Sequence, residues 1–266
     1  MIEPAENLLE DVASIAEAAG RAILEVYETD FDVEKKADAS PITEADRRAH
    51  DVIRVGLGEL PGGLPILSEE AHTIPWEVRR HWKEYWLVDP LDGTKEFIQR
   101  NGQFTVNIAL VRAGRPILGV VHVPVTGVTY GGIVGRGAWR RSRDGGRGAI
   151  HVQPLGEGPV RVVGSRSHRG PDLDGYLERL GPHEMVPMGS SLKFCVVAEG
   201  NADVYPRLGP TSEWDTAAAE AVLCAAGGKV VASDGEPMDY NKGPELLNPW
   251  FIASGDDSRD WTRYLP

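Results

Sequence analysis

The sequence predicts an α/β protein, α+β in its N-terminal part and α/β in its C-terminal part. Three observations carry this. Two helical patterns are followed, from Thr105 to Val134, by three β-branched runs broken by Gly and Pro, as in a mixed or antiparallel sheet. Beyond Val160 the pattern changes to alternating strands and helices, the mark of an α/β layer. Between the two, Q-P-L-G-E-G-P around Pro154 to Pro159 reads as an interdomain connection, dividing the chain into 1–155 and 156–266.

The first helix is written in Leu8, Val12, Ile15, Ala19, Ile23 and Val26, which recur at steps of three and four and so form one buried stripe. Phe31 and Val33 alternate with polar residues as a short strand does. S-P-I-T-E-A-D then opens a second helix. Thr43 is its N-cap, and Asp46 falls at the third helical position, where a carboxylate reaches back to the cap. Ala45, Ala49, Val52, Ile53 and Leu57 carry that helix on. After the turn from Leu60 to Pro65, Ile66-Leu67 makes a short strand ending in Ser68-Glu69-Glu70.

The apolar run Trp86-Leu87-Val88 ends a buried strand, and D-P-L-D-G-T-K-E-F (Asp89 to Phe97) is expected to stop it at Pro90 and turn into a helix. Gly93 lets the backbone approach a ligand closely, and the first amides after it have no intrahelical partner. Such a corner suits an anion, yet it carries Asp89 and Asp92, which repel one unless a divalent cation lies between them. The resolution is a Mg²⁺-dependent phosphate site. Glu69 joins it if its strand runs parallel to that of Trp86, because parallel strands place their ends together.

Strands are expected at Thr105–Val111, Ile117–Val123 and Val128–Val134, with His122 a packed core residue among valines. In the C-terminal part they are expected at Val160–Gly164, Glu184–Met188 and Asp203–Tyr205, with helices at Leu173–Leu180 and Leu192–Glu199. S-E-W-D-T-A-A-A-E-A-V-L-C opens a further helix, with Asp215 in its first turn and a stop at Gly227-Gly228. Trp214 and the alanine run bury that end, and a buried carboxylate needs a partner. Lys229–Ser233 and Trp250–Ser254 supply closing strands.

A net charge of −12 argues against a nucleic-acid partner. From Arg136 to Arg169, however, eight arginines face only Asp144 and Glu157. A solvated hairpin is the plainer reading of this stretch; a basic rim drawing in anionic substrate is the alternative. No apolar run approaches a membrane span, and the N-terminus lacks a basic region followed by an apolar stretch. The expected location is cytoplasmic, free or peripheral at the inner face of the membrane. Cys195 and Cys224 lie in apolar helical patterns and read as buried thiols. Neither has Arg six positions later, which removes a cysteine-dependent phosphatase, and no G-x-x-x-x-G-K-[ST] stretch is present.

Taken together and in order, S-E-E, D-P-L-D-G-T and W-D-T-A resemble the inositol monophosphatase superfamily of Mg²⁺-dependent phosphatases, a layered αβαβα sandwich. D-P-L-D-G-T-K-E-F, G-S-S-L-K-F (Gly189 to Phe194), Y-P-R-L-G-P-T (Tyr205 to Thr211) and E-W-D-T-A-A are similar to its 3′(2′),5′-bisphosphate nucleotidase branch, which serves sulfate assimilation. The similarity runs from the first helix to Asn248-Pro249.

The resemblance implies that Glu69, Asp89, the carbonyl of Leu91, Asp92 and Asp215 hold two or three Mg²⁺ ions. It implies that Asp46 and Thr94 position and deprotonate the attacking water, with Glu69 assisting. Leu91, Asp92, Gly93, Thr94 and Asp215 then bind the phosphate end of the substrate, while Ser190, Lys193, Arg207 and His168 contact the nucleotide. The implied reaction is in-line attack of metal-activated water on the 3′-phosphate of adenosine 3′,5′-bisphosphate, inhibited by lithium, in a monomer or homodimer.

Three rivals remain. One is inositol or sugar phosphatase activity on the same fold. A second is a haloacid-dehalogenase-type phosphatase, whose two Asp are separated by one residue, whereas Asp89 and Asp92 are separated by two. The third is a nucleotide-binding regulator without turnover.

Overall fold

The N-terminal apolar stripe becomes helix α1 (Glu6–Tyr27) in the computed structural model, which describes residues 2–29, 33–35, 41–164 and 170–266. An antiparallel pair, β1 (Val33–Lys35) and β2 (Pro41–Thr43), precedes α2 (Glu44–Glu59); Phe31 lies outside the described residues. Leu9, Val12, Ala16 and Ile23 of α1 pack with Ala45, Ala49, Ile53 and Leu57 of α2 on one face of a seven-stranded sheet.

That sheet runs in chain order: β3 (Ile66–Ser68), β4 (Glu84–Asp92), β5 (Thr105–Arg112), β6 (Arg115–Val123), β7 (Val128–Ile133), β8 (Gly137–Arg141) and β9 (Arg147–Ile150). β3 and β4 are parallel and the rest form an antiparallel meander. Short helices α3 (Trp76–Arg79) and α4 (Thr94–Ile98) flank β4 in sequence. Trp86 and Val88 face α1 and α2, while Tyr85 and Leu87 face the other side. Burial on both faces is why β4 reads as a continuous apolar run rather than an alternating one.

The C-terminal part contributes β10 (Val160–Gly164), α5 (Pro171–Leu180), β11 (His183–Pro187), α6 (Leu192–Ala198), β12 (Val204–Arg207), α7 (Ala217–Ala225), β13 (Lys229–Ala232) and β14 (Phe251–Ser254). Its five strands lie in the order β11-β10-β12-β14-β13. Leu173, Tyr176 and Leu177 of α5 cover the outer face against Val162, Val204 and Ile252. Between the sheets, Phe194 and Val197 of α6 and Val222 and Leu223 of α7 share one cluster with Leu87, Ala109 and Val121 on one side and Val163, Tyr205 and Ala253 on the other. The layers therefore run α, β, α, β, α, and α6 and α7 are the central layer.

α7 is alanine-rich because it sits close to the first sheet. A Cβ at Gly119 would stand 2.1 Å from the Ala218 carbonyl oxygen, and one at Gly132 would stand 2.9 Å from the Ala225 Cβ. Only glycine in β6 and β7 permits that approach, which fixes the depth of the helix and of the turn that precedes it.

Local features differ from expectation in three places. Pro90 does not end β4: the strand runs to Asp92 through a bulge, in which Asp89 pairs Asn107, Asp92 pairs Thr105, and Pro90 and Leu91 stand opposite Val106 alone. A bulge spares the missing proline N–H and re-aims the flanking side chains. Asp215 is not in the first turn of a continuous helix but ends a separate 3₁₀ turn, Glu213–Asp215. The Arg-rich hairpin is neither merely solvated nor a free basic rim. Arg136 pairs Glu3, Arg147 pairs Glu6 and Glu10, Arg141 pairs Glu10 and Glu17, and Arg140 pairs Glu199. The acidic face of α1 holds most of it in place. His122 is buried as expected, its Nδ1 2.9 Å from the Thr129 hydroxyl. Cys195 is buried and Cys224 half-buried, both as free thiols.

Candidate active site

Strand pairing assembles the acids. Ser68 of β3 registers with Val88 of β4, so the residues that follow them, Glu69 just past the end of β3 and Asp89 within β4, come side by side. Glu69 starts a 3₁₀ turn, Glu69–Ala71, and its carboxyl shares a hydrogen bond with that of Asp89. The bulge brings Asp92 to the same end of the sheet, and the seat of α7 brings Asp215 across from the C-terminal part. Carboxylate oxygens of Asp89, Asp92 and Asp215 all lie within 4.8 Å of one another.

This crowding shows in the acidities. Burial, then the charges of Glu69, Asp92 and Asp215, hold Asp89 well above the usual carboxylate range. Asp215 is pushed up to about 8 by loss of hydration, then by Asp92 and Glu69. Asp92 is raised by the same loss of hydration, against which the Lys193 ammonium and the Ser191 amide pull it back. Such a set is costly without a cation, and its hard oxygen donors suit Mg²⁺.

Asp92 is also held by residues that sequence reasoning missed. Its Oδ2 accepts from the Ser191 amide at 2.5 Å, the Thr105 hydroxyl at 3.4 Å and the Asn107 amide at 3.5 Å. The Ser191 hydroxyl in turn donates to Asn107 Oδ1 at 2.8 Å. The signal was present: Asn107 interrupts an otherwise apolar strand, T-V-N-I-A-L-V, and a buried amide needs partners.

Asp46 sits at the start of α2 with Thr43 as cap. Its Oδ2 accepts from the Thr43 amide at 2.8 Å and hydroxyl at 2.7 Å. Burial raises it to about 6, against those bonds, with Glu70 and Glu69 adding to the rise. It therefore lies beside the acid cluster, outside the trio. Thr94 opens α4, which packs against β2, the strand that ends at Thr43. Gly93 before it has φ 93°, and an added Cβ would meet the Gln103 carbonyl at 3.3 Å, so this turn requires glycine. Leu91 is buried in the bulge, its amide donating to Asp89 Oδ1 at 2.9 Å.

Of the expected nucleotide contacts, Ser190 and Lys193 flank Asp92. Ser190 has the left-handed φ of 42°, and its Oγ accepts from Thr105 at 3.3 Å. Lys193 is buried, its Nζ donates to the Ser190 carbonyl, and it lies 5.5 Å over the Tyr205 ring. Burial lowers it to about 8, and the charge of Asp92 is the strongest influence opposing that shift. Arg207 ends β12, its Nε donating to the Thr211 hydroxyl at 2.5 Å. His168 lies outside the described residues.

Residues 5–255 match the model of the inositol monophosphatase family. The chain belongs to that family. It is 52% identical over 249 residues to the 3′(2′),5′-bisphosphate nucleotidase CysQ of Escherichia coli K12, covering 93% of this chain and 99% of that protein. It is 40% identical to the enzyme of the same name from Haemophilus influenzae, with 96% of each chain covered. The crystal structure of CysQ from Bacteroides thetaiotaomicron superposes with a TM-score of 0.84 at 42% identity, over 97% of this chain and 99% of that one. The family resemblance and the layered α/β fold expected from the sequence both stand.

Proposed function

We infer that this chain is a Mg²⁺-dependent phosphomonoesterase of the 3′(2′),5′-bisphosphate nucleotidase type, removing the 3′-phosphate of adenosine 3′,5′-bisphosphate to give AMP and phosphate. The observation that carries the reading is 52% identity to a nucleotidase over 93% of the chain, combined with three convergent carboxylates and a buried lysine beside them. The lysine separates this site from a plain polyol-phosphate site, because an ammonium at the acid cluster supplies a charge for a second phosphate.

Glu69, Asp89, the Leu91 carbonyl, Asp92 and Asp215 hold the cations in this reading. When bound, divalent cations neutralise charge on the transferring group and make hydroxide accessible near neutral pH. Asp46 and Thr94 orient the attacking water and take its proton, with Glu69 assisting; a carboxyl raised to about 6 is a better base than an ordinary one. The amides of Gly93 and Thr94 face the phosphate oxygens. Ser190, Lys193 and Arg207 take the 5′-phosphate and ribose, and His168 the base. A role in clearing the bisphosphate left by sulfate assimilation, and inhibition by lithium, belong to the same reading.

Among the described residues no helix is long and apolar enough to cross a membrane. The deciding assay measures phosphate release from adenosine 3′,5′-bisphosphate, inositol 1-phosphate and fructose 1,6-bisphosphate, with Mg²⁺ and with chelator. Mg²⁺-dependent release favouring the first, with AMP as product, is the expected outcome. Preference for either other substrate moves the enzyme to another branch of its family, and a trapped aspartyl-phosphate on Asp89 overturns the mechanism.

A further inference from the structure

The turn that carries Asp215 is held by a segment to which the sequence assigned nothing. Residues 240–248, without regular secondary structure, wrap the run Thr211 to Glu220 from one side. The Glu213 amide donates to the Leu246 carbonyl at 2.8 Å, the Asn248 amide donates to the Thr211 carbonyl at 2.8 Å, and Ser212 bridges Leu247 as an isolated antiparallel pair. Side chains complete the wrap. Both oxygens of buried Glu213 accept from the Asn241 amide, at 3.0 and 2.9 Å. Asn248 Nδ2 donates to the Ser212 carbonyl at 2.8 Å and to the Thr216 hydroxyl at 3.0 Å, tying the residues on either side of the 3₁₀ turn. The Tyr240 hydroxyl donates to Glu220 Oε2 at 2.6 Å and lies 3.0 Å from the Thr216 hydroxyl.

The segment is itself anchored. The guanidinium of buried Arg79 donates to Asn241 Oδ1 and to the Pro244 carbonyl, and Asn241 Nδ2 donates back to the Arg79 carbonyl at 2.7 Å. Asn241 takes the left-handed φ of 55°, a strained position that the four surrounding hydrogen bonds sustain. Glu220 and Thr216 are 5% and 1% exposed, so the Tyr240 bonds form in a dry interior where partners cannot be exchanged for water.

Among the described residues the Asp215 carboxyl takes its hydrogen bond from the turn itself, Oδ2 accepting from the Ser212 amide at 3.0 Å, and a carboxylate oxygen of Asp215 lies within 4.8 Å of oxygens of Asp89 and Asp92. Its direction is therefore set by the turn, and the turn is set by the strap. We propose that Tyr240, Asn248 and Glu220 are positioning residues that hold the Ser212–Thr216 turn so that Asp215 presents a cation-binding oxygen to Asp89 and Asp92. The inference rests on the reading of Asp215 as a metal ligand.

The test is titration calorimetry of Mg²⁺ into the purified protein without substrate, for wild type, Asn248→Ala, Tyr240→Phe, Glu220→Leu and Glu220→Gln. Near-ultraviolet circular dichroism and chemical unfolding are recorded for each. Removing partners that orient a ligand costs about 10–100-fold in metal affinity, so Asn248→Ala is expected to weaken Mg²⁺ binding by about 10-fold. Tyr240→Phe and Glu220→Leu weaken it as well, and Glu220→Gln, which still accepts from Tyr240, restores it. A purely structural role lowers stability and leaves affinity within two-fold in every folded variant, and that result overturns the proposal. Should Asn248→Ala not fold, Tyr240→Phe, which removes one oxygen, decides by the same criterion. A wild type that binds no Mg²⁺ overturns the metal reading itself and the proposal with it.

Discussion

Thr43–Asp46 and Ser212–Asp215 are the same four-residue device, a capping box with an aspartate at its third helical position, one at α2 and the other at the turn before α7. Asp46 gives one oxygen to two donors of its own cap and meets Glu69 and Glu70 only as neighbours. Asp215 spends a single bond on its cap and faces Asp89 and Asp92 directly. The first is raised to about 6 and the second to about 8. The cap places an acid at a helix start, and in the proposed mechanism the number of carboxylates packed around it separates the base from the metal ligand.

The strongest way to break that comparison is to neutralise each acid. Asp215→Asn and Asp89→Asn are expected to lower phosphate release by at least about 10³-fold, since charge stabilisation carries most of phosphoryl transfer. Both also weaken Mg²⁺ binding in calorimetry. Asp46→Asn removes a proton acceptor, a loss of about 10²–10⁴-fold, and should leave Mg²⁺ affinity within a few-fold. Equal loss of Mg²⁺ binding in Asp46→Asn and Asp215→Asn would erase the distinction.

A second test is pH. Asp46 and Asp215 have folded-state values raised above the 3.8 of an ordinary aspartate, so their contribution to stability is full below pH 3.8 and is lost as pH rises through about 6 and about 8. Metal-free protein should show a falling melting temperature between pH 4 and 8. Mg²⁺, which binds the ionised acids, should flatten that slope, and Asp215→Asn should flatten it without metal.

Smaller effects probe how each box is seated. Gly119→Ala should cost about 1–3 kcal/mol in chemical unfolding, because α7 must move off β6 to admit the methyl group. Since that motion carries Asp215 with it, Mg²⁺ binding should weaken too, which no change on the α2 side should do. Thr43→Ala and Ser212→Ala each remove a cap and should cost about 1 kcal/mol.

Much of this site was legible beforehand. Each acid lay in a short motif, and the helical and strand periods placed those motifs at element ends. Thr43 and Asp46 form the box their spacing announced. Asn107 and Ser191 escaped because nothing in their own neighbourhoods points at Asp92; the contact exists only once β5 and the entry to α6 meet. The family motif alone places Lys193 among the nucleotide contacts, since one charge among Ser and Phe does not say which face is buried. The strap residues Tyr240 and Asn248 lie in a stretch with no periodicity at all, so no local rule singles them out.

By itself the sequence determined the local structures: the apolar stripe of α1, the capping box of Thr43 and Asp46, the glycine turn at Gly93 and the apolar run Trp86-Leu87-Val88 of β4. It also fixed the family, through motifs that survive as short strings. Tertiary structure decided the rest. The parallel register of β3 and β4 set Glu69 beside Asp89, glycines in β6 and β7 set the depth of Asp215, and α1 paired Arg141 and Arg147 of the basic hairpin. The reason is range: backbone hydrogen bonds and caps act within a few residues, whereas hydration and Coulomb energies depend on distances that only the packed chain defines.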